Sequence, residues 1–246
     1  MEFHVVVVNY NNERFVRSLH DSLKKHTSQP FFYNICDNGS TEESKKSLRK
    51  LQSKDPGVRL LYRQQTSELP HSRHHAAAVD YAISELPKDS YVLVIDVDCY
   101  MFKKDWPEFF VGLLGDGAEC ASSVRSFSKD DGSVFIRAIP YVCFFAVETF
   151  RHRNLTFLPD IEKTLSGNKL YDFGYRLNDL TKIESIDIVT PAPSLKGMPK
   201  RLIEKSMDFT HGGETIAQHL KAGGRGHKEQ FYDDWLEQCK KADANF

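Results

Sequence analysis

The stretch Val92–Met101, VLVIDVDCYM, carries the reading of this chain. Its first four residues are aliphatic and mostly β-branched, the composition of a strand covered on both faces. The strand then ends in two carboxylates, Asp96 and Asp98, with Val97 between them. Just beyond a strand, with the second aspartate in a turn, both side chains can point the same way and suit a hard divalent cation that takes oxygen ligands. The triplet alone says little, because roughly one Asp-x-Asp is expected by chance in a chain with this much aspartate. The plain alternative is an exposed turn in which one aspartate caps the next helix. The surrounding sequence has to decide.

Upstream of this stretch, apolar runs alternate with helix-like segments. FHVVVVN (Phe3–Asn9) is a continuous buried strand, followed by a helical pattern with Phe15, Val16, Leu19 and Leu23 on one side and Asn11 or Asn12 as N-cap. FFYNIC is a second strand that ends at DNGST, where Ser40 and Glu43 have the spacing of a capping box for the next helix. GVRLLYR, then the Ala-rich HSRHHAAAVDYAISEL, then YVLVID complete the series. Strands and helices repeating every 30 or so residues predict βαβ units, hence an α/β fold with a mostly parallel central sheet and flanking helices. In such a sheet ligands bind outside the carboxyl ends of the strands. Asn9, Asp37 and the Asp96/Asp98 pair all fall at such ends and face one rim.

After Asp98 the pattern loosens. WPEFFVGLL reads as a helix, AECASSVRSFS and SVFIRAIPYVCFFAV as strands around a KDDGS turn, NKLYDFGYRLNDL as helical in period, IESIDIV as a further strand, TPAPSLKGMPK as a loop and HKEQFYDDWLEQCKKA as an amphipathic closing helix. No shift of composition marks a linker, so residues 1–246 read as one domain, regular over about 1–105 and built around that half over about 106–246. Phe144, Phe145 and Val147 read as core at strand spacing, and Trp106 as a residue at the rim of the site.

The net charge of −1 gives no global field for nucleic acid or membrane surfaces, so an anionic ligand must be met locally. The five cysteines are odd in number and form no CxxC pair, which argues against a disulfide framework or zinc site and for a reducing compartment. The first apolar run is far shorter than the roughly 20 residues of a membrane span. These features predict a cytoplasmic protein without a transmembrane segment, any membrane contact being peripheral.

VVVVNYNNERFVRSLHDSL, ICDNGSTEES and YVLVIDVDCYM, in this order and near these spacings, resemble the nucleotide-binding half of family 2 glycosyltransferases with the GT-A (Rossmann-like) fold. The resemblance is good over residues 3–105 and looser beyond. It implies an enzyme that takes a sugar from a nucleoside diphosphate sugar with inversion, using a divalent cation, Mn2+ or Mg2+, on the diphosphate. By position in the motif, Asn9, Tyr10, Asp37 and Asn38 would hold the base and ribose. Asp98 would bind the cation directly, with Asp96 facing the ribose or the cation and Val97 lining the donor. A carboxylate such as Asp37 can accept from the imide N–H of uracil, which favours UDP.

Where the family carries a Gly/Asn-bearing segment this chain has ELPHSRHHAAAVDYAI, so that Arg73 near a helix N-terminus is the expected diphosphate contact. Adjacent His74 and His75 cannot both face one zinc ion with their neighbour, and solvated or packed histidines are the reading preferred there. The late segment FTHGGETIAQHL resembles the one that completes the cation site in related enzymes. It implies His211 as a ligand, with Gly212 and Gly213 letting the backbone approach. Inverting transfer also needs a general base for the acceptor hydroxyl. The family's usual Glu-Asp pair is missing; of Asp160, Glu162, Asp172 and Asp179, Asp172 is closest to the pattern and Asp160 next. The acceptor would be a glycan, a lipid-linked sugar or a protein. Nucleotidyltransferases and NAD enzymes are disfavoured because no Gly-rich loop follows the first strand. A glycosyltransferase-like binding module without activity stays open.

Overall fold

The computed structural model describes residues 1–64, 71–128, 132, 134–160, 172–190, 192–195, 204–220 and 229–244. Strands β1 (Glu2–Asn9), β2 (Phe32–Asp37), β3 (Val58–Tyr62) and β4 (Ser90–Ile95) pair in parallel in the order β3-β2-β1-β4. The four consecutive valines of β1 explain its central place. Val5 and Val7 enter one hydrophobic cluster, Val6 and Val8 another on the opposite face, so the strand is buried from both sides.

Helices α1 (Glu13–Lys25), α2 (Glu42–Gln52) and α3 (His71–Ser84) make the crossovers. Helix α1 buries Phe15, Val16, Leu19 and Leu23, as its periodicity predicts. Asn12 stands at its N-cap without a side-chain cap bond. The cap of α2 is Thr41, whose Oγ1 accepts from the Ser44 amide, one residue beyond the predicted Ser40. Ser40 is engaged elsewhere, accepting from Asn9 Nδ2 and from the Asn11 amide, each at 3.0 Å.

The second half adds β5 (Cys99–Met101), α4 (Trp106–Leu114), β6 (Cys120–Ser128), β7 (Val134–Ala146), α5 (Val147–His152), β8 (Ile183–Val189), β9 (Ser206–His211), β10 (Glu214–Leu220) and α6 (Glu229–Asp243). The full order is β3-β2-β1-β4-β7-β6-β8-β9-β10-β5. The parallel character predicted for the sheet holds from β3 to β4. Beyond that, among the described residues, only β6 and β8 pair in parallel, and β4–β7, β6–β7, β8–β9, β9–β10 and β10–β5 are antiparallel. The predicted helix around DFGYRLNDL is, from Asp172 on, a turn and a short 3-10 segment at Tyr175–Asp179; Glu162 and Tyr171 lie outside the described residues.

Trp106 is no rim residue. It is fully buried, its Nε1 donating to the Leu23 carbonyl at 3.2 Å, and it packs edge-on against Phe31. Helix α6 closes the same face, with Trp235 and Tyr232 against Phe15. Its last residue, Asp243, is buried and accepts from Lys25 Nζ at 2.6 Å and from the Tyr100 hydroxyl at 2.9 Å, with His26 Nε2 at 2.7 Å. All five cysteines are buried thiols outside any disulfide. Among the described residues, no helix is long and apolar enough to cross a membrane.

Candidate active site

From β1 the chain runs outward through α1 to β2 and β3, then returns to place β4 on the other side of β1. The crossovers therefore diverge between β1 and β4, and the crevice they leave at the carboxyl ends is where an open α/β sheet binds ligands. Asn9 and Asp37 are opposite each other on the last rung of β1 and β2. Asn9 has no exposed surface. Its Nδ2 donates to Asp37 Oδ1 at 2.8 Å and its Oδ1 accepts from the Asn12 amide at 3.1 Å, while Asp37 Oδ2 accepts from the Ser40 amide at 3.2 Å. Asn9 thus orients Asp37 rather than presenting itself at the rim. Tyr10, 48% exposed, does stand there.

Asn38 is also buried. Its Nδ2 donates to the His74 carbonyl and its Oδ1 accepts from Arg63 Nη1, both at 3.1 Å. Beside Asp37 opens a cavity of about 440 Å³ lined by Gly39, Lys45, Arg49, Tyr62 and Arg63. The sequence reading does not single out Tyr62 and Arg63, although Tyr62 closes β3 opposite Asp37 and Arg63 follows it directly. Arg73 sits partly buried on the first turns of α3. Farther along α3, Asp80 is turned away from the rim: it accepts from the Phe157 amide and the Thr156 hydroxyl, and burial raises its pKa.

The turn after β4 brings the carboxylate pair together with an imidazole. The Asp96 amide donates to the Tyr141 carbonyl at 3.0 Å and the Cys99 amide to the Asp96 carbonyl at 3.1 Å, so Val97 and Asp98 lie in a tight turn with Val97 buried. His219 on β10 reaches Asp98 Oδ1 with Nε2 at 3.0 Å and lies 3.6 Å from Asp96 Oδ2. The Leu220 amide fixes that strand by donating to the Asp98 carbonyl at 3.0 Å. The Tyr141 ring stacks on the imidazole, centroids 5.3 Å apart and planes at 23°. His75 on α3 approaches Asp96 Oδ1 from the other side at 3.7 Å.

One ligand atom from each of Asp96, Asp98 and His219 lies within 4.8 Å of the others. Two carboxylates and one imidazole fit a divalent cation.

His211 is not part of this group. It closes β9 at the turn of the β9–β10 hairpin, its Nδ1 3.1 Å from the Ser185 carbonyl oxygen and its ring edge-on to Phe109. Five residues of strand, roughly 17 Å, separate its partner Glu214 from His219. Gly212 and Gly213 have φ of 57° and 83°, the left-handed values of a two-residue hairpin loop, and they serve the turn rather than a ligand.

Asp172 approaches the same region from the far side of β7. Buried Arg137 donates through Nη2 to the carbonyls of Asp172 at 3.0 Å and Phe173 at 3.3 Å, and the Phe173 amide donates to Asp172 Oδ1 at 2.8 Å. The Phe173 ring stands edge-on to His75, and Gly174, at φ 70°, rests on Pro140. Tyr141 joins the two sets. Burial raises its phenol pKa, Asp96, Asp172 and Asp98 add to the rise, and Arg125 opposes it. Asp179, by contrast, is exposed and bound to Arg176 Nε at 2.8 Å, and Asp160 is partly buried on the loop after α5.

Residues 4–175 match the family model described as glycosyl transferase family 2. The galactosyltransferase LgtC, solved with donor and acceptor sugar analogues, is similar at 14% identity with a TM-score of 0.58, the likeness covering 97% of this chain and 95% of that one. TarS from S. aureus, residues 1–349, is similar at 17% identity with a TM-score of 0.50 over 75% of this chain; the chain spans 58% of that fragment's length. The same TarS fragment solved with UDP gives 15% identity and a TM-score of 0.50, over 78% of this chain and 61% of that one. No curated protein matches the chain in sequence. At these identities the structural likeness carries the fold, and the family match, which spans well over half the chain and takes in β1 from His4 and all of β2 to β7, carries the kinship. The chain has the GT-A fold and belongs to glycosyl transferase family 2.

Proposed function

We propose that the protein is a metal-dependent, inverting glycosyltransferase that moves a sugar from a nucleoside diphosphate sugar, UDP by preference, to a hydroxyl of a glycan, lipid-linked or protein acceptor. The observation that carries this reading is the convergence of Asp96, Asp98 and His219 at the crevice between β1 and β4. The solution of a similar chain with UDP supports the choice of nucleotide.

On this reading Asp37, oriented by Asn9, accepts from the base or ribose, and Tyr10 covers that end of the nucleotide. Arg63 and Arg73 face the donor with positive charge. Asp98, His219 and Asp96 would hold Mn2+ or Mg2+, which when bound supplies Lewis-acid stabilisation of the departing diphosphate. Tyr141 keeps the His219 ring in its plane. Asp172 accepts the proton of the acceptor hydroxyl as that oxygen attacks the anomeric carbon, with Arg137 fixing the backbone on which it sits.

The test is UDP release from a panel of UDP sugars with and without Mn2+, run on the wild type and on Asp172→Asn. The expected result is Mn2+-dependent release in the wild type. In the variant, transfer to acceptor should fall by about 10²–10⁴-fold, the range of general-base catalysis, with UDP binding retained. Release that is indifferent to EDTA would remove the cation from the proposal, and normal transfer by Asp172→Asn would move the base to Asp160 or elsewhere.

A further inference from the structure

Arg125 on β6 and Arg137 on β7 are directly opposed across the strands. Opposed residues of an antiparallel pair bring their Cβ atoms to about 4.5–5.5 Å, and like charges there are destabilising. The chain is close to neutral overall, so this is a local feature and not one sample of a basic surface. Its position is specific. Ile95, the last residue of β4, pairs with Val142, so the part of β7 before Val142 runs past the end of β4 along the rim that carries Asp96 and Asp98.

Arg137 is turned inward and committed to the backbone of Asp172 and Phe173. Arg125 is exposed, and among the described residues no ion pair engages it, though its charge reaches the Tyr141 phenol beside the site. An exposed cation backed by a fixed one, next to the carboxylate read as the base, stands on the side from which the acceptor would present its hydroxyl. The donor's diphosphate has its own counter-charge in the cation site on the other side of Tyr141.

We infer that Arg125, backed by Arg137, recognises an anionic group on the acceptor, a phosphate ester or a carboxylate, through the forked geometry in which a guanidinium meets either. The inference rests on the glycosyltransfer reading and narrows its acceptor to an acidic or phosphorylated one. The same chemistry could be supplied by the donor diphosphate, so the experiment separates the two sources.

The wild-type protein is first titrated with UDP in the presence of Mn2+; failure to bind overturns the proposed function and takes the inference with it. With that site saturated, glucose 6-phosphate, glucuronate and glucose are titrated by calorimetry. The charged sugars should bind at least tenfold more tightly than glucose. Arg125→Gln should abolish that preference, and Arg125→Lys should restore most of it. Equal binding of charged and neutral sugars by the wild type, or an unaltered preference in Arg125→Gln, overturns the inference. A tenfold loss of UDP affinity in Arg125→Gln with the sugar preference unchanged assigns the pair to the donor and overturns it likewise.

Discussion

Asn9→Ala separates a residue that touches the nucleotide from one that holds the residue that does. In the folded chain Asn9 Nδ2 donates to the buried Asp37 carboxylate at 2.8 Å, and Asn9 Oδ1 accepts the Asn12 amide at 3.1 Å at the start of α1. Losing a hydrogen bond to a buried charge costs about 1.5–3 kcal/mol and losing the neutral one about 1 kcal/mol, while the Ser40 and Ser44 hydroxyls can rotate to other partners. The total is about 2.5–4 kcal/mol, which for a chain of this size lowers the melting temperature by roughly 5–16 °C. Urea unfolding followed by circular dichroism measures the first quantity, and UDP titration with Mn2+ under folding conditions measures the functional one. Both should fall together, because a misoriented Asp37 weakens the base or ribose contact. A variant that keeps its stability to within about 0.5 kcal/mol yet binds UDP tenfold less tightly would refute this reasoning and make Asn9 itself the nucleotide contact.

Three further outcomes follow from the geometry. His219→Ala should weaken Mn2+ binding by at least 10-fold and His211→Ala by less than twofold, measured by the free Mn2+ signal in electron paramagnetic resonance; the reverse ranking would disprove the strand register argued above. Gly174→Ala would force a side chain onto a backbone at φ 70° with its Cβ 2.5 Å from Pro140 Cγ, so a loss of about 2–4 kcal/mol in urea unfolding is expected, and a neutral effect would mean that the Asp172 turn is not seated on β7.

Glu119 accepts from the Thr181 hydroxyl and amide and from Arg153, which hold its carboxyl down at about 2 against an ordinary 4.5. A depressed carboxylate pKa gives stability that is complete above the unfolded value and disappears as pH falls through the folded one. After allowance for solvent screening, about 1–2 kcal/mol should be lost between pH 4.5 and 2, and Glu119→Gln should flatten the stability profile in that window.

The first four strands could be read from the sequence because each is a short aliphatic run with a helical period between, and local patterning decides such units. Asp98 and Asp96 were legible for the same reason: a carboxylate at the end of a buried strand contradicts its surroundings. The second half resisted because the pairings β4–β7, β6–β8 and β10–β5 join strands far apart in sequence, and register across such pairs is not written in any one segment. His211 and His219 illustrate the point. Both lie in one stretch, and only the Gly-Gly turn reveals which is at the tip of a hairpin and which is in the sheet. Read as a two-residue loop between apolar strands, that dipeptide would have directed attention to the histidine inside IAQHL. Asn9 does lie at the strand end its pattern predicts, but its side chain turns inward because Asp37, opposite it on the adjoining strand, needs a donor. Trp106 lay near the motif in sequence and is core in space, since α4 packs its first turn onto α1.

The order in which the chain is made also matters for the cation site. Asp98 and His219 are 121 residues apart, and β4 and β5, separated only by the turn of Asp96–Asp98, stand fourth and last in the strand order. A ribosome that has released β4 has therefore produced the carboxylate pair but none of the imidazole, and β5 has no partner until β10 emerges. At about 5–20 residues per second, several seconds pass in which the pair exists without its third member. On the proposed reading, capacity to hold the cation arrives with the completed sheet rather than with the motif, and products interrupted before residue 219 would carry the signature of the site without its ligand set.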